Sequence, residues 1–258
     1  MLLEGRVAVV SGIGPGLGRS IALALAREGA DLAIGARSAR HLEPVAAEVE
    51  ALGRRCVWEC TDVSKPEDCE RLAARAEVDL GGIDVLVNSA AAFGRAETLA
   101  DGSPEGWREA MEVSFFGALN LTQAAVSRMR KRGGGRIVMI GTTAVRDPKP
   151  TQGAYATSKA ALLMATRTLA AELGPEGIRV NAVNPGYIQG ASIQHSFRQR
   201  AEEQGVTPES LEADVVANSA LGYIAEPDEI AGSVLFLASE LARPVTGHVL
   251  DCNAGFWL

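Results

Sequence analysis

The sequence predicts an α/β protein with one doubly wound parallel sheet. Short β-branched runs alternate with longer Ala- and Leu-rich stretches of helical period from one end of the 258 residues to the other. The strand runs are apolar almost throughout, as when helices cover both faces of a sheet. A glycine-rich turn joins the first strand to the first helix, the connection at which such sheets bind nucleotides.

Taken in order, residues 6–11 (RVAVVS) read as a strand and 16–28 as a helix that stops at Gly29. Strand 31–35 and helix 39–51 repeat the pattern, as do 55–59 with 65–78, and 84–87 with a long helix over about 104–130. Strand 135–140 leads to a helix over about 153–172, and strand 178–183 follows. A last helix near 228–238 precedes a final strand at 245–250. Strand–helix alternation implies right-handed crossovers and a parallel sheet. No linker or internal repeat divides the chain, so residues 1–258 read as one domain, and the long polar stretch 186–222 reads as a lid.

Apolar residues make up 47% of the chain and the formal net charge is −7. A core of that size needs no disulfide or structural metal. The surplus of acid argues against nucleic acid and against an anionic membrane as partners. Cys56, Cys60, Cys69 and Cys252 form no CxxC pair and have no histidine at ligand spacing. They read as packing residues in a reducing cytoplasm, and no metal site is expected. No apolar run approaches the ~20 residues that span a bilayer, and Glu4 and Arg6 precede any run of leader length. The expectation is a soluble, cytoplasmic protein.

The turn is Ser11-Gly12-Ile13-Gly14-Pro15-Gly16-Leu17-Gly18. Glycine removes Cβ where the chain turns tightly and a ligand meets the backbone. The helix that follows offers free N–H groups and a positive dipole end to an anion. At the end of the second strand an acid would bind both ribose hydroxyls of a dinucleotide, whereas an Arg favours a 2′-phosphate. Ala36 occupies that position, Arg37 follows, and Arg40 stands close.

Tyr155 and Lys159 are four residues apart on the fifth helix, so their side chains share one face. A tyrosine near its reference pKa of about 10 is a poor base at neutral pH, and a neighbouring ammonium stabilises the phenolate. Thr142, thirteen positions earlier at a strand end, offers a second hydroxyl, or alternatively caps a turn.

These residues resemble the short-chain dehydrogenase/reductase family over nearly the whole chain. Its T-G-x-x-x-G-x-G turn appears with Ser11 for Thr, and its N-N-A-G as Asn88-Ser89-Ala90-Ala91. Asn181 in Arg179–Gly186, Thr246-Gly247 and residues 252–255 match its closing strands. The resemblance implies a Rossmann-type fold, NADP(H), and hydride transfer to or from a small-molecule carbonyl or alcohol, with Tyr155 as acid/base. Lys159 would tune Tyr155 and hold the ribose, and Thr142 would replace the family's Ser. Cofactor contacts would come from Ser11, Gly12, Gly14, Gly16, Leu17, Gly18, Arg37, Asp62, Val63, Asn88, Ala90, Pro185, Gly186 and Ile188. Phe93, Val145, Arg146, Tyr187, His195 and Phe197 are candidates for the substrate pocket.

Two departures bear on mechanism. Ser114 stands where the family carries an Asn that supports a proton relay, and it reads either as a weaker relay residue or as packing. Gly190 stands where the family carries a cofactor-binding Thr, with Ser192 or Gln189 as substitutes. Two competing readings keep the fold: a lyase or epimerase without net redox change, or a cofactor-binding protein that has lost catalysis. The helix over 154–173 is apolar nearly all round, so a second face should meet another subunit in a homotetramer or homodimer.

Overall fold

A computed structural model describes residues 1–256. Seven strands form one parallel sheet in the order β3-β2-β1-β4-β5-β6-β7. The strands are β1 (Val7–Ser11), β2 (Asp31–Ala36), β3 (Cys56–Cys60), β4 (Val85–Asn88), β5 (Gly135–Ile140), β6 (Ile178–Pro185) and β7 (Val249–Cys252). The helices are α1 (Leu17–Arg27), α2 (Ala39–Ala51), α3 (Pro66–Arg75), α4 (Pro104–Met111), α5 (Gly117–Lys131), α6 (Gly153–Leu173), α7 (Ala191–Gln204), α8 (Pro208–Ala217) and α9 (Pro227–Ala238). After β3 the chain returns to pair β4 with β1. That reversal opens a crevice at the carboxyl ends of these two strands.

The apolar strand runs are explained by burial on both faces. In β1, Ala8 and Val10 pack with α1, α2 and α9 on one side, while Val7 and Val9 pack with α3, α5 and α6 on the other. Each of these valines contributes about 1.5–3 kcal/mol through burial.

One element boundary is corrected and two expectations gain detail. The long helix over 104–130 is two helices joined by a π turn at Glu112–Phe116, where the Gly117 N–H reaches back to the Glu112 carbonyl. The last strand begins at Val249, not at 245. Gly247 takes a left-handed φ of +71° and its N–H bonds to the Val180 carbonyl at 2.7 Å, so the segment already lies beside β6 two residues before the strand pairing begins. The stretch 186–222 holds α7 and α8 over a small core of their own, formed by Phe197, Ala201, Leu211 and Val215 with Ile224 and Phe256. Among the described residues no helix is long and apolar enough to cross a membrane.

Candidate active site

A cleft of about 800 Å³ lies over the carboxyl ends of β1, β4, β5 and β6. Its floor is the glycine turn, and each glycine does something different. Gly12 has φ +77°, and a Cβ there would stand 2.4 Å from the Ala90 nitrogen. A Cβ at Gly18 would meet the Gly12 carbonyl oxygen at 2.3 Å. Both are needed for close backbone packing. A Cβ at Gly14 or Gly16 would meet nothing within 4 Å and would occupy the cleft itself. Helix α1 starts here without a side-chain cap and without an acid in its first turn, so its N–H groups suit a phosphate. The turn therefore fits a dinucleotide, with Leu17 forming part of the wall.

Several residues expected at the cofactor hold the site up from behind. The Ser11 hydroxyl accepts from the Ser89 N–H at 3.3 Å and reaches the Val87 carbonyl at 3.5 Å, tying β1 to the end of β4. The Asn88 amide donates to the Thr122 hydroxyl at 3.0 Å and faces the core. Ala90 lies against Gly12, while its neighbours Ser89 and Ala91 line the cleft. Val63 is buried against Gly117, and its carbonyl accepts from the Asn120 amide at 3.0 Å. Asp62 accepts from the Ser64 hydroxyl at 2.7 Å. Arg37 is exposed at the end of β2 and makes no ion pair among the described residues, whereas Arg40 turns to His41 at 3.1 Å. Arg37, Asp62 and Val63 lie outside the cleft wall, along the edge of the sheet that continues from the turn.

The chemistry is concentrated at the β5 end. Thr142 starts a short 3₁₀ turn (Thr143–Val145), and its hydroxyl accepts from the Ala144 N–H at 3.2 Å. The same hydroxyl lies near the Tyr155 phenol, so Thr142 both caps the turn and acts on the phenol's titration. Tyr155 opens α6 with its ring 4.6 Å from that of Phe93. Burial raises the Tyr155 phenol above its ordinary value, and the nearby Thr142 hydroxyl pulls it partly back. Lys159 is 1% exposed and donates to the Ile140 carbonyl at 2.6 Å, with its Nζ 6.0 Å from the centre of the Tyr155 ring. Burial pushes this ammonium down to about 8.

Ser114 sits in the π turn with no exposed surface. Its hydroxyl accepts from the Ala92 N–H at 3.1 Å and donates to the Ala92 carbonyl at 3.2 Å. A hydroxyl has one proton to give, and here it is committed to bracing the loop after β4. The reading of Ser114 as packing fits this geometry.

On the far wall, Pro185, Gly186, Tyr187 and Ile188 line the cleft. Tyr187 stacks edge-on with Phe256 at 5.3 Å, while Phe197 lies buried behind it, not in the cleft. Val145 and Arg146 also face away; Arg146 pairs with Asp251 at 2.5 Å. His195 is exposed on the outer side of α7. Gln189 is committed to Glu212 at 2.9 Å, which leaves Ser192 on the cleft wall beside Gly190. Sequence reasoning missed Gln152, Ile193, Ser196, Glu226 and Phe256 in the wall. Only Gln152 had a local signal, since it precedes the first turn of the Tyr155 helix.

The crevice thus joins a glycine turn suited to a phosphate with Thr142, Tyr155 and Lys159 gathered at one strand end. A family described as "Enoyl-(Acyl carrier protein) reductase" matches residues 12–257. An uncharacterized oxidoreductase of Methylorubrum extorquens is 35% identical over 98% of both chains. Human dehydrogenase/reductase SDR family member 4 is 33% identical over 98% of this chain and 88% of its own. L-Sorbose reductase of Gluconobacter frateurii, solved with NADPH and L-sorbose, superposes with a TM-score of 0.92 at 31% identity over 99% and 98% of the two chains. An NAD+-bound xylitol dehydrogenase gives 0.91 at 28% identity over 97% and 98%. The chain belongs to the short-chain dehydrogenase/reductase family and is an oxidoreductase of that class.

Proposed function

We propose that this chain reduces a carbonyl to an alcohol with NADPH, or runs the reverse reaction, with Tyr155 as acid/base. One observation carries the reading: Thr142, Tyr155 and Lys159 line one cleft together with a glycine turn suited to a phosphate. NADPH, when bound, supplies the hydride. The chain's own residues manage the oxygen and the proton. The Thr142 and Tyr155 hydroxyls hold the substrate oxygen, and Tyr155 gives it a proton as negative charge develops there. Lys159 in its charged form stabilises the phenolate left behind, at low local dielectric. Lys159, the glycine turn, Pro185, Gly186 and Ile188 would hold the cofactor, and Phe93 and Tyr187 would flank the substrate. Ala36 and Arg37 favour NADPH, as does the likeness to an NADPH-bound reductase; the NAD+-bound neighbour is the counterexample that makes the measurement necessary.

The test is Tyr155→Phe assayed with NADPH over a panel of ketones. Turnover should fall by roughly 10²–10⁴, the usual worth of general acid catalysis, with NADPH binding retained. A variant keeping more than about a tenth of wild-type kcat would remove Tyr155 from the acid role.

A further inference from the structure

At the amino ends of the same strands lies a second cavity, of about 520 Å³, walled by Arg6, Arg132, Arg136, Arg179 and Arg243 with Asp84 and Glu240 as its acids among the described residues. The charges do not balance. Asp84 is shared between Arg6 at 3.2 Å and Arg132 at 3.0 Å, and Glu240 pairs with Arg136. Arg179 donates to the carbonyls of Leu237, Ser239 and Val245, which ties the end of α9 to the approach to β7 but brings no carboxylate. Arg243 is exposed and makes no ion pair among the described residues. Five guanidinium groups face two carboxylates, in a chain whose net charge is −7.

The register makes the crowding worse. Arg136 and Arg179 are direct partners on β5 and β6, so they leave adjacent strands on the same face about 4.8 Å apart at the backbone. Like charges placed this way are destabilising. Burial, and after it the charge of Arg136, push Arg179 down to about 10. Burial and then Arg6 lower Arg136 as well. Most of the remaining wall is glycine, with Ile178, Pro244 and Thr246, and a Cβ at Gly133 or Gly174 would meet nothing within 4 Å. The N–H groups of Gly133, Gly134 and Gly135 are already spent on backbone carbonyls, so recognition falls to the guanidinium groups. Their planar forks match the oxygens of a phosphate.

We propose that this cavity binds a small polyanion, a metabolite carrying two or more phosphate groups, at a site separate from the cleft. The surplus of positive charge matches a di- or triphosphate, and the volume leaves room for more than a single phosphate. The two sites are separated by the length of β5, roughly 17 Å from Gly135 to Ile140 at the ordinary rise of a strand. The probe is inorganic tripolyphosphate, titrated calorimetrically into the intact chain at ionic strength matched with NaCl. Saturable binding that weakens as NaCl rises is expected. Arg243→Glu should raise Kd at least about tenfold, the worth of one charge-assisted contact, while kcat and the KM for NADPH stay unchanged. Arg243 supports no other group in the fold, so this variant folds. Arg37→Ser should leave Kd as it is. The proposal is overturned if no binding appears above matched salt, if Arg243→Glu binds as tightly as wild type, or if Arg37→Ser is the variant that loses binding.

Discussion

The two ends of one sheet handle charge in opposite ways. At the carboxyl end one ammonium, Lys159, is fully enclosed and held by one carbonyl, and no carboxylate of the described residues pairs with it. At the amino end many guanidinium groups stand half in water, and one buried carboxylate, Asp84, serves two of them and the Val7 N–H at 2.9 Å. Enclosure makes a charge expensive and chemically responsive, whereas solvent keeps a charge cheap and always on. The first arrangement suits proton chemistry, and the second suits holding a fixed charge for something outside.

After the losses of turnover at Tyr155 and Lys159, the largest effect is expected from Asp84→Asn. Loss of a buried carboxylate with two cationic partners should cost about 2–3 kcal/mol; the partners' partial exposure keeps it below the figure for a wholly buried pair. Denaturant melts would show it, with KM unchanged. The same variant should bind tripolyphosphate more tightly, because it removes a competing negative charge; weaker binding would break the contrast between the two ends.

Next is Arg37→Ser. One Arg–phosphate contact is worth about 1.5–3 kcal/mol, so kcat/KM for NADPH should fall roughly 10- to 100-fold, with NADH little changed. Equal losses with both cofactors would show that Arg37 does not read the 2′-phosphate.

Lys159→Met should abolish turnover and yet stabilise the protein by about 1–3 kcal/mol at pH 7. The sign follows from burial. Lys159 has a folded-state value of about 8 against an ordinary 10.5, so below pH 8 the fold carries a charge it would rather lose. Between pH 8 and 10.5 the unfolded chain binds more protons, and wild-type stability rises relative to Lys159→Met. The variant's advantage should therefore shrink across that window. A constant difference would mean that Lys159 is not paying for its enclosure.

The smallest effect should come from Ser114→Ala. Loss of the brace to Ala92 should cost about 1 kcal/mol of stability and change kcat less than tenfold. A large loss of kcat at unchanged melting temperature would return Ser114 to the proton path.

The legible parts of the site were local ones. Tyr155 and Lys159 were readable because four residues on a helix place two side chains on one face, whatever surrounds the helix. The glycine turn was readable because positive φ and close approach select for glycine. Ser11, Asn88 and Val63 were assigned to the cofactor from their place in motifs, but their partners (Val87 and Ser89, Thr122, Asn120) come from other segments. The substrate wall was the least legible. Phe197 and His195 lie on one short helix, and only its packing over Leu211 and Val215 puts Phe197 inside and His195 outside. The outer face of α6, where Ala160, Met164 and Ala171 are exposed, keeps a homotetramer or homodimer as our proposal, with sedimentation at micromolar concentration as its check.

Residue order along this chain was enough for the α/β class, the parallel sheet and the placing of Tyr155 and Lys159 on one helix face, because each rests on a period or spacing within one element. The placement of Arg136 beside Arg179, the sharing of Asp84 by Arg6 and Arg132, and the closing of Ser114 onto Ala92 arose only when strands distant in sequence took their register. Periodicity reports which face of an element is buried; it carries no information on which distant residue lies opposite, and in a parallel sheet that is set by the crossovers between strands.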